Sequence, residues 1–235
     1  AMGGGGYYGP KGGPNHLILE VLKTTNKRFP KICLIPTASG DRPEGIQNFI
    51  EVINKMGAHP NYLSLFSVPT KDLESWLLDF DAIYISGGNT KNLLALWREW
   101  GIDKILVKAL QAGVIVSGAS AGANCWFEES SSDFLPGEFN PLPGIGLLKG
   151  SFCPHYSDEK GRRESYLEMV KNGKLKSGYA VSDRAALHFV NENLKEVLIE
   201  WDAASAFHIT KEKNGNVSET KLAVSYTHLR AHETG

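Results

Sequence analysis

Hydrophobic residues come in short runs separated by longer amphipathic stretches. Ile32-Cys33-Leu34-Ile35, Tyr62-Leu63-Ser64-Leu65, Ala82-Ile83-Tyr84-Ile85 and Val114-Ile115-Val116-Ser117 read as strands. Between them, Ile46, Phe49, Ile50 and Ile53 mark one face of a helix over 43–56, with Gly57 as its stop. Thr70 is placed to cap a helix reaching about Leu78; Lys91 to Trp100 and Ile102 to Ala112 carry two more. A helix is expected after Ser120, with Cys125, Trp126 and Phe127 on its buried face. Further on, Gly150 to Cys153 reads as a strand and Arg162 to Lys171 as a helix, with strands near Tyr179-Ala180-Val181, Ala186 to Phe189 and Val197 to Ile199. Trp97 and Trp100 are expected to pack their helix on the sheet.

Apolar strands alternating with amphipathic helices predict an α/β fold, a three-layer sandwich with a mainly parallel central sheet covered by helices. Such sheets bind ligands beyond the carboxyl ends of their strands. Gly87-Gly88, Ser120 and His155 each follow a predicted strand.

The 235 residues carry no Pro/Gly/Ser-rich linker, so a single domain over 1–222 is expected. The closing residues 223–235 resemble translated vector sequence and are expected to be foreign to the fold, which sets aside His228 and His232. A net charge of −1 gives no general attraction to nucleic acid or anionic membrane. Cys33, Cys125 and Cys153 form neither a disulfide framework nor a zinc pattern, and no secretory signal or membrane-spanning run is read, so the expected compartment is the cytoplasm.

Gly118-Ala119-Ser120-Ala121-Gly122 has the G-x-S-x-G pattern. On a sharp strand-to-helix turn it lifts a serine hydroxyl clear of the backbone and aims N–H groups at a developing oxyanion. Small flanking residues are required because the turn has no room for larger ones; the bland alternative is a tight packing turn. Gly88 allows close backbone approach, and its N–H with that of Ala121 is the candidate oxyanion hole. A serine needs a base. His155, in Cys153-Pro154-His155-Tyr156 at a strand end, is better placed than His16 near the start, His59 before a proline in a loop, His188 within a strand or His208 in an edge-like segment. Cys125 lies inside an apolar run, unlike a reactive thiol.

Ser86-Gly87-Gly88-Asn89-Thr90, the stretch Ser117 to Glu128, Pro154-His155-Tyr156, the opening glycine cluster and Ile35 to Ser39 together resemble the aspartyl dipeptidase (peptidase E) family of serine peptidases. The resemblance runs from Gly3 to about Leu222. It implies a fold similar to class I glutamine amidotransferases, with serine in place of their cysteine. It also implies cleavage of short peptides, chiefly dipeptides with N-terminal aspartate, and no metal or organic cofactor. Ser120 and His155 match the family's nucleophile and base, and Gly88 and Ala121 its oxyanion donors. The carboxylate behind the histidine is either Asp183 or Asp133, with Asp183 favoured. Arg162 or Arg163 matches the substrate-binding arginine, and Asn89 and Thr90 join the candidate substrate contacts. The expected partner is a small peptide, with neither nucleic acid nor membrane, and the chain is expected to be a monomer or homodimer. Two other enzymes remain open, a cyanophycinase-like isopeptide hydrolase and an esterase of the α/β-hydrolase type. The esterase would need an His-Gly-Gly-type oxyanion loop, which the sequence lacks. A non-catalytic binding module on the same fold is the alternative outside enzymes.

Overall fold

The computed structural model describes residues 1–9 and 13–226. It is a mixed α/β structure with a parallel sheet and helices, and the chain divides into two compact units.

The first unit is Gly6–Gly122. It contains α1 (His16–Thr24), β1 (Lys31–Ile35), α2 (Pro43–Lys55), β2 (His59–Tyr62), α3 (Leu73–Leu78), β3 (Ala82–Ile85), α4 (Thr90–Trp100), α5 (Ile102–Gln111) and β4 (Ile115–Gly118). The strands form one parallel sheet in the order β2-β1-β3-β4. Burial explains the sequence signal: β3 is buried at every position and β1 at all but its first, as befits inner parallel strands covered on both faces. The edge strand β2 is mostly exposed, so its residues carry no apolar run. The predicted strand over Tyr62 to Leu65 therefore begins too late: pairing runs from His59 to Tyr62, and buried Leu63 and Leu65 follow it. His59 lies on this strand rather than in a loop.

Local chemistry sets the helix ends. Pro43 opens α2 at a position where no N–H is needed. The Asn89 side chain caps α4 by accepting from the Asn92 N–H at 3.0 Å. Asp72, not Thr70, caps α3, accepting from the Ser75 N–H at 3.0 Å. Trp97 is fully buried, whereas Trp100, the last residue of α4, is 42% exposed. It therefore does not pack as expected, because it lies beyond the buried stripe of Thr90, Leu93, Leu94 and Trp97.

The helix expected after Ser120 is a single turn, α6 (Ala121–Asn124). Cys125 and Trp126 are buried but lie outside it, and Phe127 opens a strand.

The second unit comprises Ala1–Gly5 and the chain from Ala123. It holds β5 (Phe127–Leu135), β6 (Glu138–Pro143), β7 (Leu148–Cys153), α7 (Arg162–Lys171), β8 (Gly178–Val181), β9 (Ala185–Val190), β10 (Asn193–Ile199), β11 (Ala206–Lys211), β12 (Val217–Lys221) and β13 (Ser225–Tyr226). Six strands form a mixed sheet in the order β12-β11-β8-β7-β5-β6, and three form a smaller one, β13-β10-β9. His208 thus lies on a strand between two others, not at an edge. Phe127 stacks on Phe152 with ring centroids 4.7 Å apart. Under α7, Tyr156, Tyr166, Met169 and Val170 pack with Cys153, Ala180 and Ile209. Of the tail expected to be foreign, residues 227–235 lie outside the described residues.

Candidate active site

The first unit builds the turn that holds Ser120. β4 runs parallel to β3 with Gly118 opposite Ile85. Just beyond, Ser120 adopts φ 54°, a left-handed conformation that costs a non-glycine residue about 1–3 kcal/mol. The turn is closed by the Gly122 N–H donating to the Ala119 carbonyl at 2.9 Å and by the Ala119 N–H donating to the Ile85 carbonyl at 3.3 Å. Both flanking glycines are required. A Cβ on Gly118 would lie 2.3 Å from the Gly122 carbonyl oxygen, and one on Gly122 would lie 2.3 Å from that of Ile85.

The loop after β3 approaches the same turn. A Cβ on Gly87 would sit 3.3 Å from the Ser120 Cβ. Gly88 has φ 140°, and a Cβ there would meet the Ala38 carbonyl oxygen at 2.1 Å. That carbonyl accepts from the Asn89 N–H at 2.8 Å, locking the loop onto the 3-10 turn Thr37–Ser39. Among the described residues, the N–H groups of Gly88 and Ala121 donate to no protein acceptor. Asn89 holds the cap of α4, and Thr90, its first residue, is buried. The role of Ala38 was not foreseen; only the glycine opposite it signals so close an approach.

The second unit places a histidine against a carboxylate. β7 and β8 are parallel neighbours, with Cys153 opposite Ala180. His155 and Asp183 follow the carboxyl ends of these strands, so 28 residues of sequence separation collapse to one hydrogen bond. His155 Nδ1 lies 2.6 Å from Asp183 Oδ1. A carboxylate can only accept there, so Nδ1 is the ring nitrogen that donates this bond and Nε2 is the one on the opposite edge. The pair is anchored through the backbone. The Tyr156 N–H donates to the Val181 carbonyl at 3.2 Å, and the Asp183 N–H donates to Asp158 Oδ2 at 2.8 Å. The N–H groups of Asp158 and Glu159 both donate to the His155 carbonyl. His155 itself has φ 52°.

Asp133 stands elsewhere, on β5, with its carboxylate 3.5 Å from Arg162 Nη2. The Arg162 side chain is buried. It donates to Glu159 Oε2 through Nε at 2.8 Å and Nη2 at 2.5 Å, and to the Ser131 carbonyl at 3.3 Å. Its guanidinium also lies 4.4 Å above the Phe139 ring. Arg163 is half exposed and paired with Glu219 at 2.5 Å. Burial pushes the Cys125 thiol pKa upward, away from thiolate chemistry. No group of metal-ligating side chains occurs among the described residues, nor does any helix there have the length and apolarity to cross a membrane.

In nucleophilic hydrolases a serine on a strand-turn-helix acts with a histidine oriented by a carboxylate. The family comparison narrows the class: the family model for peptidase family S51 matches residues 1–197, and the chain belongs to that family of peptidases. The "Uncharacterized peptidase YgaJ" of Bacillus subtilis (strain 168) is 44% identical over 228 residues, covering 96% of this chain and 97% of its own length. The crystal structure of a peptidase from an acI-B1 Actinobacterium matches with a TM-score of 0.68 at 17% identity, over 95% of this chain and 93% of that one. A peptidase E candidate from Listeria monocytogenes EGD-e matches with a TM-score of 0.54 at 19% identity, over 86% and 93%. These structures share the fold.

Proposed function

We propose that the protein is a cytoplasmic serine peptidase of short peptides, with dipeptides bearing N-terminal aspartate as its first substrate class. Ser120 Oγ attacks the scissile carbonyl while His155 Nε2 takes the hydroxyl proton. The oxyanion is held by the Gly88 and Ala121 N–H groups. His155 returns the proton to the leaving amine, and a water then cleaves the acyl-enzyme by the same route in reverse. Asp183 orients the imidazole and stabilises its charged form. The observation that carries this reading is the left-handed backbone of Ser120 between glycines that tolerate no side chain, because backbone strain of this kind clusters at functional sites. The three buried, unbridged thiols fit a reducing compartment.

Arg162 and Arg163 are the proposed partners of a substrate carboxylate, with Asn89 and Thr90, at the end of the loop after β3, as further candidate contacts. One observation favours a broader range of short peptides. The Arg162 guanidinium is already held by Glu159, so a substrate carboxylate would have to displace that ion pair. The test is a dipeptide panel, Asp-X against other N-terminal residues, with wild type and Ser120→Ala side by side, together with fluorophosphonate labelling. Labelling and turnover that both vanish in Ser120→Ala are expected. Full turnover in that variant overturns the mechanism, and equal rates across N-terminal residues overturn the aspartate preference.

A further inference from the structure

The opening segment Ala1–Gly5 lies along the chain that carries Asp183. Met2 bridges Ala186 in antiparallel fashion. The Gly3 N–H donates to the Ala185 carbonyl at 3.0 Å, and the Arg184 N–H donates to the Gly4 carbonyl at 3.3 Å. The Met2 side chain is buried. Beyond this ladder, the Arg184 side chain lies over Gly5, where a Cβ would sit 2.8 Å from Arg184 Cδ. The same guanidinium is paired with buried Glu200 at 3.0 Å. The segment is thus held on both sides of Gly4.

Gly4 faces the His155–Asp183 pair directly. A Cβ there would stand 2.2 Å from Asp183 Oδ1, 2.5 Å from His155 Cε1 and 2.7 Å from His155 Nδ1. These are the two atoms of the 2.6 Å hydrogen bond and the ring carbon between the two nitrogens. Ordinary contact begins near 3.4 Å. To reach that distance Oδ1 would have to retreat by about 1.2 Å and Nδ1 by about 0.7 Å, which together stretch and misalign the hydrogen bond. The retreat is opposed because Asp183 is tied at its own N–H to Asp158 and at its carbonyl to the Ser182 hydroxyl.

We propose that Gly4 is a positioning residue: its bare backbone forms one wall of the histidine–carboxylate pair and fixes the hydrogen bond at Nδ1. The catalytic consequence rests on the reading of His155 as the base; the geometric consequence does not. The experiment compares wild type, Gly4→Ala and Gly45→Ala, since a Cβ on Gly45, in helix α2, meets nothing within 4 Å. Two quantities are read: the deshielded Nδ1–H proton resonance of His155, assigned by its loss in His155→Gln, and kcat against KM on the best peptide of the panel. Gly4→Ala is expected to lose or shift the resonance and to lower kcat by about 100-fold, as misplacement by about 1 Å does, with KM little changed. Gly45→Ala is expected to keep both.

If Gly4→Ala does not fold, Met2→Ala decides, because it loosens the segment without adding bulk. Faster exchange of the His155 Nδ1–H with water supports the proposal, and unchanged exchange overturns it. An unaltered resonance with wild-type kcat in folded Gly4→Ala also overturns it. If wild type cleaves no peptide, the peptidase reading fails, while the resonance still decides the role of Gly4.

Discussion

Replacing Asp183 by Asn changes one oxygen for one nitrogen and leaves the backbone ties of residue 183 intact, since these run through its N–H to Asp158 and its carbonyl to Ser182. The fold should therefore survive, with a melting temperature close to that of wild type. The chemistry should not. In a Ser-His-Asp system, loss of the orienting charge lowers kcat by about 10⁴-fold, or about 5.4 kcal/mol at 1.36 kcal/mol per factor of ten. The side chains of His155 and Asp183 are 26% and 32% exposed, so water screens part of the lost interaction. A pair about 4 Å apart in a medium of effective dielectric near 20 interacts by about 4 kcal/mol, which corresponds to roughly 10³-fold. An amide that presents its NH₂ to Nδ1 would in addition force the proton onto Nε2 and remove the base. The expected loss is thus about 10³-fold in kcat, measured by steady-state hydrolysis of the best dipeptide. Asp133→Asn is the matched control. Its carboxylate is 54% exposed and 3.5 Å from the buried Arg162 guanidinium, which keeps its ion pair with Glu159 when Asp133 is changed. The reasoning is refuted if Asp183→Asn keeps wild-type kcat while Asp133→Asn abolishes turnover.

Three further outcomes follow from the geometry. Gly88→Ala drives a Cβ to 2.1 Å from the Ala38 carbonyl oxygen at φ 140°; kcat should fall by about 10²–10³-fold through a displaced oxyanion donor, and wild-type kinetics in this variant would remove Gly88 from the oxyanion hole. Burial raises the thiol pKa values of Cys33, Cys125 and Cys153, so DTNB should titrate no thiol rapidly in the native protein and all three in denaturant. Hydrogen bonding from the Gly150 N–H, then Lys176, holds the Glu128 carboxyl below its usual pKa. Such a group contributes stability above its unfolded pKa and loses it as pH falls through the folded pKa. Glu128→Gln should therefore lower the melting temperature at neutral pH, and the gap from wild type should close in acid; a gap independent of pH would remove this role.

The sequence by itself determined the parts whose signal is local. Inner strands covered on both faces must be apolar throughout, which made β1 and β3 legible. The Ser120 turn was legible because its backbone excludes side chains at 118 and 122, and that exclusion is written as glycine. His155 could be placed at a strand end for the same kind of reason. Tertiary structure decided what depends on register and neighbours. β5 was hidden because Glu128-Glu129-Ser130-Ser131-Ser132-Asp133 reads as polar, yet Ser130, Ser131 and Ser132 are buried in a strand flanked by β7 and β6, where ladder pairing and close packing outweigh propensity. Asp183 and Asp133 look alike in sequence; only the parallel pairing of β7 with β8 brings one of them to His155. Arg162 is legible as the first residue of a helix, but its burial is not: three neighbours and a ring enclose it. The opening glycines showed only that something approaches closely. The folded chain identifies it as the His155–Asp183 pair, because a missing side chain has meaning only beside the atoms that take its place.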